Sequence, residues 1–173
     1  MSVRGVLHIH SAPPALCPHV EWAVAGVIGV RVDLPWASQP AAPGTLRAEL
    51  SWEGRPGTSG AVTSALTNWK RLRFEATEEA SPGCDPVRYS YTPDLGLFSA
   101  VTAANGDILV PETRLRAALT VAAASAAGTI ARSRAGALAE ELARLLGQPW
   151  DDELEPFRCA AEGAPVRWLH ATG

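Results

Sequence analysis

The chain almost lacks lysine. Lys70 is the only one among the fifteen basic residues of this 173-residue sequence, and the other fourteen are arginines. The formal net charge is −3. A protein that binds nucleic acid by general electrostatic attraction needs an excess of positive charge. The composition therefore argues against that class, although it leaves room for a local basic patch.

Cysteine is scarce and irregularly spaced. Cys17, Cys84 and Cys159 are an odd number, whereas a secreted disulfide framework normally has an even one. The first ten residues contain one arginine and no long apolar stretch, unlike a signal peptide. The sequence has no run of about eighteen apolar residues, which a membrane-spanning helix needs. These absences predict a soluble, cytoplasmic protein.

Hydrophobic residues make up 47% of the chain and charged residues 19%, which is ordinary for a globular protein and excludes a disordered chain. A length of 173 residues fits one domain. We therefore expect a single domain over residues 1–173.

Hydrophobic periodicity over residues 1–80 predicts a β-α-β-β-α-β unit. Strands are expected where apolar and polar residues alternate, and helices where apolar residues recur at intervals of three and four. The predicted strands cover residues 3–10, 30–36, 46–52 and 72–77, and the helices begin at Pro18 and at Thr58 or Ser59. This order is that of ferredoxin-like domains. The predicted fold class is α+β with a ferredoxin-like first half.

Residues 81–147 extend this unit with short strands and two helices. Strands are predicted at residues 87–91, 97–103 and 107–110, and the last two form a hairpin around Asn105-Gly106. A third helix opens at Pro111 and Glu112. A linker of small residues at 125–129 precedes a fourth helix that ends at Gly147. Residues 148–173 form a separate C-terminal segment.

Histidine and cysteine are concentrated near the N-terminus. Two histidines on the same side of the first strand are followed by a thiol and an imidazole at the start of the first helix; the four residues are His8, His10, Cys17 and His19. Imidazole and thiolate are zinc ligands, and a thiol at a helix N-terminus is a candidate nucleophile. The alternative is an exposed strand face and a buried structural thiol. The spacing matches no zinc finger, so we expect no metal and no other cofactor.

An acidic run with aromatic neighbours is the candidate interaction site, and it comprises Trp150, Asp151, Asp152, Glu153, Glu155 and Phe157. Acidic groups at the start of a short helix stabilise it, and Trp150, Leu154 and Phe157 could then anchor that helix to the domain. Tryptophan also dominates the binding energy of many protein interfaces. The run therefore reads either as a docked helix or as a partner surface.

Several sequence blocks together resemble a family of actinobacterial proteins catalogued as a domain of unknown function, DUF3145-like, over nearly the whole chain. The arginine-rich composition, typical of GC-rich genomes, fits this resemblance. It implies no activity, cofactor or catalytic residue, and it carries a weak association with fatty-acid and acyl-CoA enzymes. The blocks are His10-Ser11-Ala12-Pro13, Cys17-Pro18-His19-Val20-Glu21-Trp22, Thr92-Pro93-Asp94-Leu95-Gly96, Val110-Pro111-Glu112 and Trp150-Asp151-Asp152-Glu153-Leu154-Glu155-Pro156-Phe157-Arg158.

No catalytic motif is present: the chain has neither a phosphate-binding loop with its lysine nor a Gly-x-Ser-x-Gly turn. The first functional hypothesis is a non-enzymatic accessory or regulatory subunit that binds another protein, a second copy of itself or a small metabolite. The alternative is a small enzyme or metal-binding protein that uses the neighbourhood of His8, His10, Cys17 and His19. A third is acyl-chain or acyl-CoA-related binding.

Overall fold

The computed structural model of the protein describes residues 2–127 and 134–160. Seven strands form one antiparallel sheet in the order β2-β3-β1-β4-β5-β6-β7. The strands are β1 Val3–Ala12, β2 Ala37–Ser38, β3 Leu46–Gly54, β4 Arg73–Glu78, β5 Val87–Thr92, β6 Gly96–Thr102 and β7 Ile108–Leu109. The helices are α1 Cys17–Ile28, α2 Thr58–Leu66, α3 Glu112–Ala127, α4 Arg134–Leu145 and α5 Gln148–Cys159. The predicted α+β class is confirmed.

One face of the sheet, here called the apolar face, is covered by α1 and α2. Because side chains alternate along a strand, Leu7 and Ile9 of β1 point to this face, as do Phe74 and Ala76 of β4. They pack with Val20, Val24, Val62 and Leu66 of the two helices in one buried cluster. This cluster is the hydrophobic core.

Gly5 is required where β1 passes beneath a tryptophan. Gly5 pairs with Trp52 of β3. A Cβ atom at position 5 would lie 2.2 Å from the indole ring of Trp52 and 2.2 Å from the backbone oxygen of Thr77. Because only glycine leaves room for the ring, the indole of Trp52 packs directly on β1 as part of the buried cluster.

The opposite face, here called the polar face, is partly covered by α5. This helix contacts β1 and β5. Helices α3 and α4 pack against each other, and α4 contacts α5. Helices α3 and α4 thus follow β7, the last strand of the sheet, and α5 then packs back on the sheet.

The predicted strand at residues 30–36 is wrong. These residues have no regular structure, and β2 comprises only Ala37 and Ser38. The carboxylate of Glu21 accepts hydrogen bonds from the backbone N–H of Leu34 at 3.0 Å and from the indole N–H of Trp36 at 2.8 Å. The segment is therefore held by α1, and Val32, Leu34 and Trp36 pack on the core without strand pairing, whereas Val30 is exposed.

Other boundaries also differ from the sequence prediction. Residues 125–127 of the expected linker continue α3, and residues 128–129 lie outside the described part. The acidic run forms α5, the short helix of the docked-helix interpretation, after the two helices predicted up to Gly147. The Asn105-Gly106 hairpin is confirmed: it joins β6 to β7, and Gly106 has the positive φ of 88° that such a turn needs. The ferredoxin-like arrangement is not confirmed, because the sheet has seven strands where that arrangement has four.

Within residues 2–127 and 134–160, no helix combines the length and the apolar character needed to cross a bilayer.

Candidate functional site

The polar face concentrates the buried charged groups of the molecule. Strand alternation places His8 and His10 of β1, Glu75 of β4 and Arg88 of β5 on this face, and Arg158 reaches it from α5. Glu75 lies at the centre and is fully buried. A buried carboxylate is costly unless it is paired and hydrogen-bonded. Its partners therefore define the site.

Glu75 accepts hydrogen bonds from four side chains. His10 Nε2 lies 2.6 Å from Glu75 Oε2, and Arg158 Nε donates to the same oxygen at 2.9 Å. Oε1 accepts from Arg158 Nη2 at 2.6 Å, Arg88 Nη2 at 2.9 Å and Ser90 Oγ at 3.1 Å. Both oxygens are thus saturated by donors from β1, β5 and α5.

Asp151 of α5 completes the network. Its Oδ1 accepts from Arg158 Nη2 at 2.7 Å and also from Arg88 Nη2, while its Oδ2 lies 3.4 Å from Arg88 Nη1. Two carboxylates and two guanidiniums therefore balance in formal charge. We call the set His10, Glu75, Arg88, Asp151 and Arg158 the ion network.

The ion network holds Glu75 ionised. Burial raises the pKa of its carboxyl, but the hydrogen bonds and charges of His10 and Arg158 outweigh burial and hold the pKa far below its usual range. For Arg158, burial lowers the pKa, and the hydrogen bonds and charges of Glu75 and Asp151 raise it well above its ordinary value. A carboxylate held in this way is a poor general base, because catalysis favours a pKa near the working pH.

His8 is the other unusual titratable group on this face. Its ring stacks on His10, with centroids 6.0 Å apart and an interplanar angle of 10°, and its Nδ1 lies 3.5 Å from Glu49 Oε2. Burial and the neighbouring His10 lower its pKa from 6.5 to about 4. His8 is therefore uncharged at neutral pH.

Further contacts fix α5 on the sheet. Gln39 Nε2 donates to the backbone oxygens of His10, at 2.7 Å, and Phe157, at 3.2 Å. Arg73 Nε donates to Glu153 at 2.9 Å, and its guanidinium lies 4.9 Å from the centroid of the Phe157 ring. These bonds join α5 to the sheet and to the loop after β2.

Trp150 anchors the start of α5. Its indole N–H donates to the backbone oxygen of Gly96 at 2.9 Å, and its ring lies 5.2 Å from that of Phe98. Gly147, just before α5, has a φ of 78° and packs against the same Phe98 ring. The contacts of Trp150 therefore help to hold α5 on the polar face, in addition to the ion network.

Beyond the ion network the polar face is open and forms a cleft of about 860 Å³. Its floor consists of side chains from the central strands, and the segments after β4 and β6 form its walls at Ala80, Pro86, Ala103 and Ala104. Small-molecule sites usually have volumes of roughly 300–1,000 Å³. The floor residues are Arg4, Val6, Ser51, Glu53, Thr77, Glu79, Arg88 and Thr102.

Arg88 belongs to both the cleft and the ion network. Its Nη atoms bind Glu75 and Asp151, and the residue lines the cleft. It is only 9% exposed, and its Nε–H has no acceptor among the residues that the structure describes. An unpaired buried donor costs about 1–3 kcal/mol. Arg88 therefore lies at the boundary between the ion network and the cleft, and its Nε–H is shielded from solvent there.

The residues predicted as one cluster near the N-terminus are divided between the two faces. His8 and His10 lie together on the polar face, whereas Cys17 and His19 belong to α1 on the apolar side. The buried Cys17 thiol donates to the backbone oxygen of Pro13 at 3.6 Å, and burial raises its pKa. Over residues 2–127 and 134–160, no group of three or more His, Cys, Asp or Glu side chains could hold a metal ion.

The predicted interaction residues lie on α5, and four of the six contact residues outside this helix. Trp150, Asp151, Glu153 and Phe157 bind the sheet as described, and Glu155 lies 3.4 Å from Arg158 on its own helix. Asp152 is exposed. The docked-helix interpretation of this run therefore accounts for its position.

Sequence reasoning missed the centre of the site. The predicted strand over residues 72–77 contains Glu75, but no motif in the sequence singles this residue out. The available signal was the number of charged residues in β4, β5 and the last segment, but charge alone does not show which groups are paired.

Comparison with known proteins gives one match. The family model described as "Protein of unknown function (DUF3145)" matches residues 6–171. No curated protein and no solved structure matches the chain. The match begins inside β1 and extends past α5, so it includes the whole ion network and most of the cleft lining, and the chain belongs to the DUF3145 family.

Proposed function

We propose that the protein is a non-enzymatic accessory or regulatory module that binds a small polar metabolite in the cleft of the polar face. The observation that carries this proposal is the cleft of about 860 Å³, which is open to solvent and lined by charged, hydroxyl and apolar groups of the sheet. Sites built on strands hold their groups more firmly than sites on loops.

The chemistry of the surrounding groups favours binding over catalysis. Glu75 is saturated with donors and ionised, and His8 is uncharged above a pH of about 4. The Cys17 thiol lies on the other side of the sheet with a raised pKa. A nucleophile beside a base, which covalent catalysis requires, does not arise from the candidate residues His8, His10, Cys17 and His19.

The lining also bears on the type of ligand. The cleft is lined by charged and hydroxyl side chains, including Arg4, Glu53 and Thr77, and also by apolar surface from Val6, Trp52 and Pro86. An acyl chain gains affinity from apolar surface removed from water, but it would cover the charged groups of Arg4 and Glu53 without pairing them, so a metabolite with polar groups suits this lining better.

The test is retention of a metabolite from a cell extract. Equilibrium dialysis of the purified protein against the small-molecule fraction, followed by mass spectrometry, should show at least one enriched compound. A Thr77→Trp variant should lose this enrichment because the indole fills the cleft floor between Val6 and Arg88. Failure of the wild type to enrich any compound, or equal enrichment by the variant, would overturn the proposal.

A protein partner is a second candidate, favoured by one observation. Trp22 on α1 is 80% exposed, and the exposed residues around it, Pro18, His19 and Gly26, include no acid, lysine or arginine. Exposed tryptophans are frequent anchors of interfaces. Sedimentation velocity should detect self-association if the partner is a second copy, and Trp22→Ser should abolish it. A monomer at all concentrations would exclude the second copy.

The ferredoxin-like assignment of residues 1–80 is part of this proposal. The strand order β2-β3-β1-β4 along one side of the sheet supports it. Strands β5, β6 and β7 then continue the same sheet.

A further inference from the structure

We infer that the outer edge of β3 binds an extended segment of another protein, which joins the sheet as an antiparallel strand and carries basic side chains four residues apart. This surface is separate from the exposed Trp22 on α1, and its occupant is independent of a metabolite in the cleft. Two features of β3 support it: backbone groups that no strand of the described chain pairs, and two carboxylates beside them.

Most of β3 lacks a neighbouring strand on its outer side. The strand runs over Leu46–Gly54, but β2 pairs only with Leu46 and Arg47. In the part of the chain that the structure describes, residues 48–54 therefore form an edge of the sheet, here called the open edge. An unpaired edge presents backbone N–H and C=O groups on which another strand can add.

The hydrogen bonds of the sheet show which backbone groups point outwards. In an antiparallel pair, residues that exchange hydrogen bonds alternate with residues that do not. Just before β3, Gln39 N–H donates to the backbone oxygen of Thr45 at 3.0 Å, and the same register continues into the pairing of β2 with β3. The odd-numbered residues of β3 therefore direct their backbone groups away from β1. On the open edge these are Glu49, Ser51 and Glu53, and all three are exposed.

The carboxylates of the open edge are not neutralised by their neighbours. Glu49 Oε2 lies 3.5 Å from His8 Nδ1, and His8 is uncharged at neutral pH. The carboxylate of Glu53 has no hydrogen bond or ion pair within the residues that the structure describes. Arg4, opposite Glu53 on β1, pairs with Glu79 instead, with Nη2 and Oε2 3.1 Å apart. The open edge therefore carries two negative charges on the polar face.

These charges define the partner strand. Opposite charges directly across two antiparallel strands stabilise the pair, and like charges destabilise it. Glu49 and Glu53 are four residues apart, so a partner with two basic side chains at the same spacing places one opposite each carboxylate. The residue midway between the basic ones lies opposite Ser51. An extended basic segment therefore matches both the backbone groups and the charges of the edge.

A second copy of this chain does not match the open edge. Two copies that pair residues 48–54 about a two-fold axis place Ser51 at the axis, because it is the midpoint of the edge. Glu49 of each copy then lies opposite Glu53 of the other, which puts like charges together twice. Charged side chains are a common protection of edge strands against self-pairing. The same charges leave the edge open to a basic strand.

The test uses three blocked peptides and the full chain. The basic peptide is Thr-Lys-Val-Thr-Val-Lys-Thr, the acidic one has glutamate in place of both lysines, and the third has proline in place of the central threonine. Binding is followed by the amide chemical shifts of β3. We expect the basic peptide to bind about 3- to 30-fold more tightly than the acidic one at low salt, since two exposed ion pairs contribute modestly. Added salt should reduce this difference.

The proline peptide tests the backbone contribution. In the antiparallel complex its proline replaces the residue opposite Ser51, where a backbone N–H is needed as donor. It should bind at least about 10-fold more weakly than the basic peptide, although both carry the same charge.

Ser51→Pro makes the corresponding change in the protein. It removes an outward N–H, and proline is tolerated on edge strands at such positions. Affinity for the basic peptide should fall at least about 10-fold. Ser99→Pro is the matched control on β6, where β7 pairs only with Val101 and Thr102. The bond from Thr102 N–H to the backbone oxygen of Pro86, at 2.9 Å, shows that Ser99 also directs its backbone outwards. This control should leave the affinity unchanged.

Glu53→Lys tests the charge without altering the backbone. The first lysine of the basic peptide lies opposite position 53 in the antiparallel complex. A peptide with glutamate in place of that lysine should therefore bind Glu53→Lys more tightly than it binds the wild type. This variant also decides the matter if Ser51→Pro does not fold.

No binding of the basic peptide at millimolar concentration would overturn this inference, as would equal binding of the basic and acidic peptides at low salt. Equal losses in Ser51→Pro and Ser99→Pro would also contradict it. A dimer that Ser51→Pro dissociates would show that the occupant is a second copy. Metabolite enrichment in the dialysis experiment is measured without any peptide, so the proposed function stands or falls separately.

Discussion

The two faces of one sheet are held by different forces. On β4, the neighbouring residues Phe74 and Glu75 are both 0% exposed and point to opposite faces. Phe74 packs in the hydrophobic core, with its ring 5.3 Å from that of Tyr91, whereas Glu75 is surrounded by His10, Arg88 and Arg158. Adjacent side chains of one strand are therefore fully buried in two ways. Phe74 is buried by apolar contacts, and Glu75 by ion pairs and hydrogen bonds that compensate its charge.

The largest effects should come from this adjacent pair. Phe74→Ala leaves a cavity and should lower the free energy of unfolding by about 3–5 kcal/mol. Glu75→Gln leaves two buried guanidiniums short of one counterion and should cost a similar ~3–5 kcal/mol at neutral pH. Urea unfolding at pH 8 and pH 4 separates the two mechanisms. The cost of Phe74→Ala should stay constant, and that of Glu75→Gln should shrink at pH 4.

Truncation of Arg158 tests whether α5 depends on the ion network. Arg158→Ala leaves Glu75 and Asp151 with one guanidinium fewer and should cost about 2–5 kcal/mol. Amide hydrogen exchange in α5 should accelerate more than exchange in α1, which covers the other face. Arg116→Ala is the control, because its pair with Glu112 is exposed and should contribute less than about 0.5 kcal/mol. Equal exchange in α1 and α5 would contradict a separate role for the network.

The polar face should also make the protein sensitive to acid. The folded-state pKa of His8, about 4, lies below its unfolded value of 6.5, so the unfolded chain binds more protons between these values. The contribution of His8 to the free energy of unfolding is complete above pH 6.5. Up to about 3 kcal/mol of it is lost as the pH falls towards 4. Glu75 adds a further loss below pH 4.5, since its pKa is also lowered by folding. His8→Gln should remove the loss of stability between pH 6.5 and 4 and leave the loss due to Glu75 unchanged. Measurements of the free energy of unfolding from pH 4 to 7 would show this.

The smallest effect is expected outside both faces. Trp22→Ala removes a side chain that is 80% exposed, so the free energy of unfolding should change by less than about 0.5 kcal/mol. The matched change Trp52→Ala, at the edge of the core, should cost about 3–5 kcal/mol. A large loss for Trp22→Ala in the isolated protein would indicate that α1 packs against another surface in solution.

The sequence was sufficient for elements whose stability comes from local pattern. Alternation predicted β3 and β5, three- and four-residue spacing predicted α1 and α2, and Asn105-Gly106 predicted the last hairpin. It was misleading at residues 30–36, where alternation reflects packing on the core while Glu21 takes the hydrogen bonds of Leu34 and Trp36. Periodicity reports which residues are buried, but it does not report which backbone groups pair.

The candidate site was less predictable for a related reason. His10 was identified, but its partner Glu75 is 65 residues away and Arg158 is 83 residues from Glu75. A charged residue in an alternating strand is normally solvated. Whether Glu75 is buried depends on α5, which comes much later in the chain. The sequence around Glu75 does not show that α5 packs there.

The late position of α5 has a consequence for synthesis on the ribosome. Strands β1 to β6 and helices α1 and α2 are complete by residue 102, so the sheet can form and close its apolar face before α5 emerges. Until then the face that carries Glu75 and Arg88 is open to water. Because that face carries charged side chains, the partly synthesised chain exposes little hydrophobic surface to other nascent chains. An apolar face left exposed for the same time would favour aggregation.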